Sequence, residues 1–395
     1  MLDPSLCFLN HGSFGAVPRP VRARQLELLN ELERDPVRFL SPDRELEPKL
    51  DHVREWAAVL LGCPARDLAF VRNATDGVNA VLRSLPANGS GEGGLATGDN
   101  IVVTDHGYNA CTNAARFVAE GAGAELKVAK LPFPIQGEDD ALEAIQEACD
   151  ERTRLILVDA VTSPTALVLP IQRIVEFARA RGIRVLVDAA HAPGMIECDF
   201  EALGADYVAG NFHKWVCAPK VSGFLYVRPE RQGQVRPAVI SHAAGTPRPG
   251  RSRFHAEFDW TGTFDVTALM CVPAALDFLE AQDSSGLDGV RRRNHALILE
   301  GRDLIADALG VDAPAPDSML GSMATMILPK GGAPEPGRVD PLQERLYREH
   351  RIEVPVWRLA SGLRLLRMSA QLHNERADYA RLAEVLVHEL EPAQG

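Results

Sequence analysis

Between Thr153 and Val227, short apolar runs alternate with stretches whose apolar residues recur at helical spacing. This alternation is typical of parallel strands joined by crossover helices, because a parallel connection needs a dozen or more residues. The pattern therefore predicts an α/β core. The predicted strands are Leu155–Val161, Val185–Ala189, Tyr207–Asn211 and Gly223–Val227, with helices near Ile171–Arg181 and just before Ala205.

The pattern is more varied outside this core. A short strand, a helix and a Gly-rich loop are predicted upstream, and a long loop of lid-like length follows the core. Amphipathic helices dominate after Val272, with one further strand. In chain order these segments are strand Leu68–Val71, helix Ala74–Leu85, loop Asn88–Gly98, loop Gln232–Arg253, helices Ala274–Ala281 and Gly289–Leu309, a strand near Met323–Leu328 and a helix near Glu375–Leu390.

Size and charge narrow the class of protein. With 395 residues the chain exceeds the usual reach of one hydrophobic core, so a large and a smaller domain are expected. No apolar run approaches the roughly 20 residues of a membrane span, and no secretory leader is evident, so we expect a cytoplasmic protein that does not bind membranes. A net charge of −12 without a basic block argues against a nucleic-acid partner.

The cysteines suggest neither a metal site nor a disulfide framework. They lack a CxxC pair and metal-ligand spacing, which suits reduced thiols that serve mostly as small core residues. The seven are Cys7, Cys63, Cys111, Cys149, Cys198, Cys217 and Cys271.

Two chemical groups lie near the ends of successive predicted strands. Asp188 lies near the end of one strand, and Lys214 follows the next. Singly, Asp188 suits a helix cap and Lys214 a surface salt bridge. Together they supply what pyridoxal phosphate (PLP) needs, which is a lysine for a Schiff base and a carboxylate that keeps the ring nitrogen protonated. A buried aspartate also requires a cation, and a pyridinium provides one.

The residues around this pair resemble the class V aminotransferase group of fold-type I PLP enzymes, which includes cysteine desulfurases. The resemblance covers nearly the whole chain, and several segments are most similar to isopenicillin N epimerases and hercynylcysteine sulfoxide lyases. The motifs are Asp188-x-x-His191, His213-Lys214, Leu9-Asn10-His11-Gly12-Ser13-Phe14-Gly15, Asn73-Ala74-Thr75 and the segment Thr162–Ile171.

This resemblance implies a domain organisation. The expected fold is the α/β fold of fold-type I PLP-dependent transferases, with a mostly parallel sheet in the large domain. An N-terminal segment over residues 1–40 would pack on the small domain and the active site. The large PLP-binding domain would cover 41–272, and a smaller C-terminal α+β domain would cover 273–395.

The resemblance also implies a phosphate site. Ala74 and Thr75 would hold the phosphate at a helix start, where free N–H groups and the helix dipole favour an anion. Thr75 is also a plausible helix cap. His213 and Asn211 would face the same phosphate, although relatives commonly carry Ser at the latter position. His191 would lie on the side of the cofactor's phenolic oxygen, the alternative being a hydrogen-bonded core histidine.

Two further cofactor contacts have rival candidates. Tyr108 would stack on the ring where many relatives have histidine, with His106 as the alternative. Ser163 falls where relatives bond the phenolic oxygen, with Thr162 as a close competitor. An ordinary turn is the other interpretation of that segment.

The substrate and partner contacts come from distant segments. Arg367 matches the family's arginine for the substrate α-carboxylate, a task suited to its planar fork, and Arg364 is the rival. Asn10 and His11 belong to a segment that would close over the substrate, the alternative being an irregular loop. Thr263 resembles the residue that reaches the partner subunit's phosphate, which implies a homodimer.

The reaction implied is chemistry at the α-carbon of an amino acid or small peptide. An isopenicillin-N-epimerase-like activity is the first expectation, and a C–S lyase resembling hercynylcysteine sulfoxide lyase is the alternative. Transamination remains open, and a catalytically inactive scaffold is a remote possibility. A cysteine desulfurase needs a nucleophilic cysteine in the C-terminal third, and no cysteine follows Cys271.

Overall fold

The computed structural model describes residues 2–85, 94–331 and 339–390. Residues 88–93 of the predicted Gly-rich loop lie outside the described residues. The strands are β1 (Cys7–Phe8), β2 (Leu68–Val71), β3 (Asn100–Thr104), β4 (Glu125–Ala129), β5 (Thr153–Asp159), β6 (Arg184–Ala189), β7 (Tyr207–Asn211), β8 (Gly223–Val227), β9 (Met323–Leu328), β10 (Ile352–Glu353), β11 (Val356–Arg358) and β12 (Arg364–Ser369).

Helices fill about half of the remaining described chain. They are α1 (Arg19–Arg34), α2 (Pro36–Leu40), α3 (Glu47–Leu61), α4 (Ala74–Ser84), α5 (Asn109–Ala122), α6 (Glu138–Ala148), α7 (Ile171–Ala180), α8 (Phe200–Leu203), α9 (Pro229–Gln232), α10 (Arg253–Asp259), α11 (Thr267–Met270), α12 (Val272–Glu280), α13 (Gly286–Leu309), α14 (Pro341–Arg348) and α15 (Arg376–Leu390). None of the helices in this part of the chain combines the length and apolarity needed to cross a bilayer.

A seven-stranded sheet in the order β2-β8-β7-β6-β5-β3-β4 forms the centre of the molecule. Strands β3 to β7 are parallel, whereas β8 runs antiparallel to both of its neighbours. The prediction of a parallel strand at Gly223–Val227 was therefore wrong in direction. The eleven residues between β7 and β8 carry no helix, so they form a reversal and not a crossover.

Both faces of this sheet are buried. Along β5, Leu155 and Leu157 pack into one apolar cluster, while Ile156 and Val158 pack into another. Successive strand residues point to opposite faces, so a strand covered on both sides reads as a continuous apolar run. This explains why the sequence pattern located β5 to β8 well.

A three-stranded antiparallel sheet, β11-β12-β9, lies in the C-terminal part, where α13 and α15 pack together. The N-terminal segment joins this part, because β1 pairs with β10 and the backbone N–H of Ser369 donates to the Leu9 carbonyl at 2.9 Å. The domain boundaries themselves stay a prediction.

Candidate active site

A cleft of about 890 Å³ opens beside the ends of the parallel strands β5, β6 and β7. Open α/β sheets bind ligands at this edge, and the volume is typical of small-molecule sites. Most of the predicted site residues line the cleft. They are Ala74, Thr75, Tyr108, Ser163, Asp188, His191, Asn211, His213 and Lys214.

Lys214 lies three residues beyond β7, with its amine beside His191. Lys214 Nζ is 3.1 Å from His191 Nε2, and the indole N–H of Trp215 donates to His191 Nδ1 at 3.2 Å. Burial, opposed by the Asp188 carboxylate and reinforced by the Arg367 cation, lowers the pKa of Lys214 to about 8. A sizeable fraction of the amine is therefore unprotonated near neutral pH, as a nucleophile must be.

Asp188 and Asp159 occupy paired positions on β6 and β5, and both are buried. Asp188 accepts the backbone N–H of Ala190 at 2.9 Å on Oδ1 and contacts the thiol of Cys111 at 3.1 Å on Oδ2. Asp159 accepts the backbone N–H of Tyr108 at 3.2 Å. Burial raises the pKa of Asp188, and burial with repulsion from Asp188 raises the pKa of Asp159 well above its usual range.

Helix α4 starts at the cleft and provides an end suited to an anion. Its N-cap Asn73 accepts the backbone N–H of Asp76 at 2.9 Å. Thr75, in the first turn, lines the cleft near the positive end of the helix dipole. The backbone N–H of Ala74 instead donates to Asn211 Oδ1 at 2.8 Å. The structure thus gives this N–H an internal partner where the resemblance expects a phosphate.

His213 lines the same end of the cleft. Its Nδ1–H donates to the Ser222 carbonyl at 3.0 Å, and burial lowers the pKa of His213 to about 4. Nε2 is the ring nitrogen that is left for a ligand, and its contact with the phosphate stays a prediction. Arg72, which the sequence analysis did not single out, is a cation at this end and pairs with Asp76 at 3.1 Å.

The structure separates the rival candidates on the other wall. Tyr108 lines the cleft, whereas His106 is buried and bonds to the Thr165 hydroxyl at 3.0 Å. Ser163 lines the cleft, whereas Thr162 is buried with its hydroxyl 2.7 Å from that of Thr165. Tyr108 and Ser163 are therefore the members of each pair that a ligand can reach.

Arg367 and Arg364 lie on opposite faces of β12, because they are three residues apart on a strand. Arg364 forms a buried salt bridge with Asp340 far from the cleft, including a 2.9 Å bond from Nε. Arg367 is 1% exposed and lies behind the cleft residues Ser163 and Ser13, to whose hydroxyls it donates at 3.1 and 3.0 Å. Within the described chain, no carboxylate forms a salt bridge with Arg367.

The residues of the N-terminal segment that line the cleft begin at Gly12, two positions after the predicted Asn10. Gly12 to Phe14 line the cleft, whereas Asn10 lies behind them and accepts from Arg367 at 3.2 Å. His11 is fully buried, and its Nε2 lies 3.0 Å from the Lys214 carbonyl oxygen. The substrate contact predicted for His11 therefore stays a prediction. Thr263 is exposed and lies outside the cleft.

Besides Arg72, the sequence analysis missed the cleft residues Asp159 and Trp357. Asp159 ends β5 just as Asp188 lies near the end of β6, so the same strand-end argument could have found it. The predicted strand instead ran on to Val161. Trp357 lies on the three-residue strand β11 and lines the cleft. Its ring centroid is 4.8 Å from the guanidinium carbon of Arg367, and its indole N–H donates to the Pro164 carbonyl at 3.3 Å. No local sequence pattern indicates that contact.

The donor set fits PLP. Lys214 supplies an amine of lowered pKa, and the start of α4 with Thr75 supplies a phosphate-binding end. Asp188 supplies a buried carboxylate which, among the described residues, has no salt bridge to a cationic side chain. A pyridinium nitrogen would be such a cation.

Comparison with known proteins agrees with this fit. Residues 18–329 match the family model described as Aminotransferase class-V. The chain is 35% identical over 397 residues to an isopenicillin N epimerase of Amycolatopsis lactamdurans, covering 98% of this chain and 95% of the relative. It is 30% identical to a probable chloroplastic L-cysteine desulfhydrase of Arabidopsis thaliana, covering 97% and 83%.

More distant similarity extends the same picture. A hercynylcysteine sulfoxide lyase of Schizosaccharomyces pombe is 24% identical over 81% of this chain and 80% of its own. A solved structure of a C-DES variant, with glycine covalently linked to its PLP cofactor, matches with a TM-score of 0.78 at 19% identity and covers 97% of both chains. The predicted fold class, family and cofactor are confirmed. The chain belongs to the aminotransferase class-V family and is a PLP-dependent enzyme of fold type I.

Proposed function

We propose that this protein acts at the α-carbon of an amino acid or small peptide, with an isopenicillin-N-epimerase-like reaction as the first candidate. The observation that carries the proposal is the amine of Lys214, which lines the same cleft as the buried Asp188 carboxylate. An amine with a lowered pKa can both form a covalent bond and move a proton.

Each wall residue has a task in this proposal. When bound, PLP supplies an electron sink that makes the α-proton of an amino acid removable. Lys214 would take the proton from one face of Cα, and epimerisation requires that a proton return to the opposite face. Asp188, held by the Ala190 N–H and the Cys111 thiol, keeps a proton on the cofactor's ring nitrogen. Thr75 and the start of α4 hold the phosphate.

Arg367 determines where the substrate carboxylate lies. Burying a guanidinium without a charged partner is costly, so an arriving carboxylate gains more from this contact than it would at an exposed arginine. Burial lowers the pKa of Arg367 to about 9, and the group stays protonated at neutral pH. Both neutral acceptors on its Nη2, Asn10 and Ser13, belong to the N-terminal segment, which supports the proposal that this segment closes over the substrate.

The relatives support two outcomes after the α-proton has been removed. Similarity over 98% of the chain to an isopenicillin N epimerase supports reprotonation at Cα. Similarity over 97% of the chain to a probable L-cysteine desulfhydrase supports C–S cleavage with loss of a β-sulfur group as the second candidate.

We further propose a cytoplasmic homodimer. Thr263 is exposed outside its own cleft, as a residue that reaches a partner's phosphate must be. The seven cysteines are all free thiols, which suits a reducing compartment.

NMR in deuterated water tests the reaction type. The holoenzyme is incubated with amino acids and small peptides that do or do not carry a β-sulfur leaving group. The epimerase proposal predicts deuterium at Cα with inversion and no keto acid. If pyruvate, ammonia and a sulfur fragment are released instead, the reaction is C–S cleavage and the epimerase proposal is wrong. If no tested substrate exchanges its Cα proton, the proposal of α-carbon chemistry is wrong.

A further inference from the structure

Trp215 directly follows Lys214, yet its side chain does not line the cleft. The indole is 1% exposed and lies behind His191, where its Nε1–H donates to His191 Nδ1 at 3.2 Å. An indole nitrogen can only donate a hydrogen bond. His191 Nδ1 is therefore an acceptor and carries no proton.

This bond fixes the tautomer of His191. Burial lowers the pKa of His191 well below its usual range, so the ring is neutral and carries a single proton. With Nδ1 occupied as an acceptor, that proton lies on Nε2. The Nε2 atom is the one that faces Lys214 Nζ, at 3.1 Å.

The tautomer in turn selects the protonation state of Lys214. A lysine ammonium has three donors and no acceptor, whereas the neutral amine has a lone pair. An N–H on His191 Nε2 can therefore bond only to the neutral amine. The opposite tautomer would present a lone pair and would favour the ammonium.

We propose that Trp215 is a positioning residue that acts through His191, and that its indole N–H favours the free amine of Lys214, the form that attaches the cofactor. The inference rests on the proposed role of Lys214. Among the described residues, the other charged or titratable groups around Lys214 include Asp188, Arg367, Asp159, Cys111 and His213. A substitution at Trp215 leaves all five in place.

The test measures the rate at which PLP attaches covalently to the apoenzyme, followed by visible absorbance as a function of pH. In the wild type this rate rises with pH through a midpoint near the Lys214 pKa of about 8. Trp215→Phe removes the indole N–H, which frees His191 to accept from the ammonium and raises the Lys214 pKa. We expect the midpoint to rise by about one unit, so that attachment at about pH 7 slows roughly tenfold and converges with the wild type at high pH.

Matched variants separate this effect from loosened packing. Phe212→Leu alters another fully buried aromatic side chain that lies outside the cleft and close to Lys214 in the sequence, and its midpoint should match the wild type. His191→Ala removes the N–H that bonds to the neutral amine, so it should also raise the midpoint, but by less than Trp215→Phe because no acceptor for the ammonium is gained. The double variant at Trp215 and His191 should match His191→Ala, because Trp215 acts only through His191. His191→Ala also serves as the deciding variant if Trp215→Phe does not fold.

Two results would overturn the inference. One is an unchanged midpoint in folded Trp215→Phe or His191→Ala. The other is a rate in Trp215→Phe that falls by the same factor at every pH, which is what a merely structural role produces. Lys214→Ala should show no attachment at any pH. Attachment in that variant would contradict the proposed function itself.

Discussion

The two walls of the cleft carry their charges in different ways. The sheet wall, formed by Asp159, Asp188, His191 and Lys214, holds acids and an amine that are already hydrogen-bonded to protein groups. The C-terminal wall is formed by Ser13, Ser163 and Trp357, with Arg367 behind them. Among the described residues, the hydrogen bonds of this buried cation go to neutral acceptors.

This difference assigns the walls different tasks. The hydrogen bonds of the sheet wall set its protonation states before any substrate arrives, as preorganised chemistry requires. In the proposed function, Arg367 gains a charged partner when the substrate carboxylate binds, so the C-terminal wall would select the ligand. Changes to the sheet wall should therefore lower kcat, and changes to the C-terminal wall should raise KM.

The largest effect on the sheet wall is expected from Lys214→Ala. This variant should lose covalent cofactor attachment and at least about 10⁴-fold in turnover, because the covalent link and the proton carrier are removed together. Absorbance and steady-state kinetics measure the two losses, and circular dichroism checks that the fold is intact. Residual turnover within tenfold of the wild type would show that another group moves the proton.

Asp188→Asn should keep PLP bound but lower kcat about 10²- to 10³-fold. A neutral amide cannot hold the proton on the ring nitrogen, so the electron sink is weakened. Cofactor binding and kcat should be measured on the same preparation. Nearly normal turnover would mean that a different carboxylate faces the ring, and Asp159 would be the next to test.

Arg367→Lys should lower kcat/KM for an amino acid about 100-fold, mainly through KM, because the ammonium cannot reproduce the planar fork. Arg364→Gln is the matched control on the opposite face of β12. It leaves the buried Asp340 carboxylate without its salt-bridge partner Arg364. The free energy of unfolding should fall by about 3 kcal/mol, and KM should not change. If Arg364→Gln raised KM as much as Arg367→Lys, the assignment of the two faces would be wrong.

Cys111→Ala should produce the smallest effect, a roughly tenfold loss in kcat, because Asp188 loses one donor worth about 1.4 kcal/mol. Cys111→Ser keeps a donor and should stay within about threefold of the wild type. Cys271→Ala controls for the loss of a buried thiol. Equal kcat values for Cys111→Ala and the wild type would show that the Cys111 thiol does not support Asp188 in catalysis.

The sheet wall could be predicted from sequence because its groups follow buried strands within a few residues. Asp188, His191 and Lys214 all line the cleft as that rule implies. The rule missed Asp159 only because the end of β5 was placed two residues too late. Cys111 was grouped with core thiols, since its contact with Asp188 joins residues 77 positions apart.

The C-terminal wall was less predictable because its contacts join distant segments. Arg367 bonds to Ser13 and Asn10 across more than 350 residues, and the seating of the N-terminal segment depends on tertiary packing. That packing places His11 behind Lys214 and leaves Ser13 at the cleft. The family motif identified Arg367 and the segment, but it could not determine which of the segment's residues face the ligand.

Borohydride reduction of the holoenzyme followed by peptide mass spectrometry tests the central claim most directly. Reduction makes the link between cofactor and lysine permanent, so the labelled peptide identifies the attachment residue. The account predicts a single label on Lys214, the lysine that lines the cleft. A label on Lys220, whose amine bonds to the Gly15 carbonyl, or on Lys330 would contradict it.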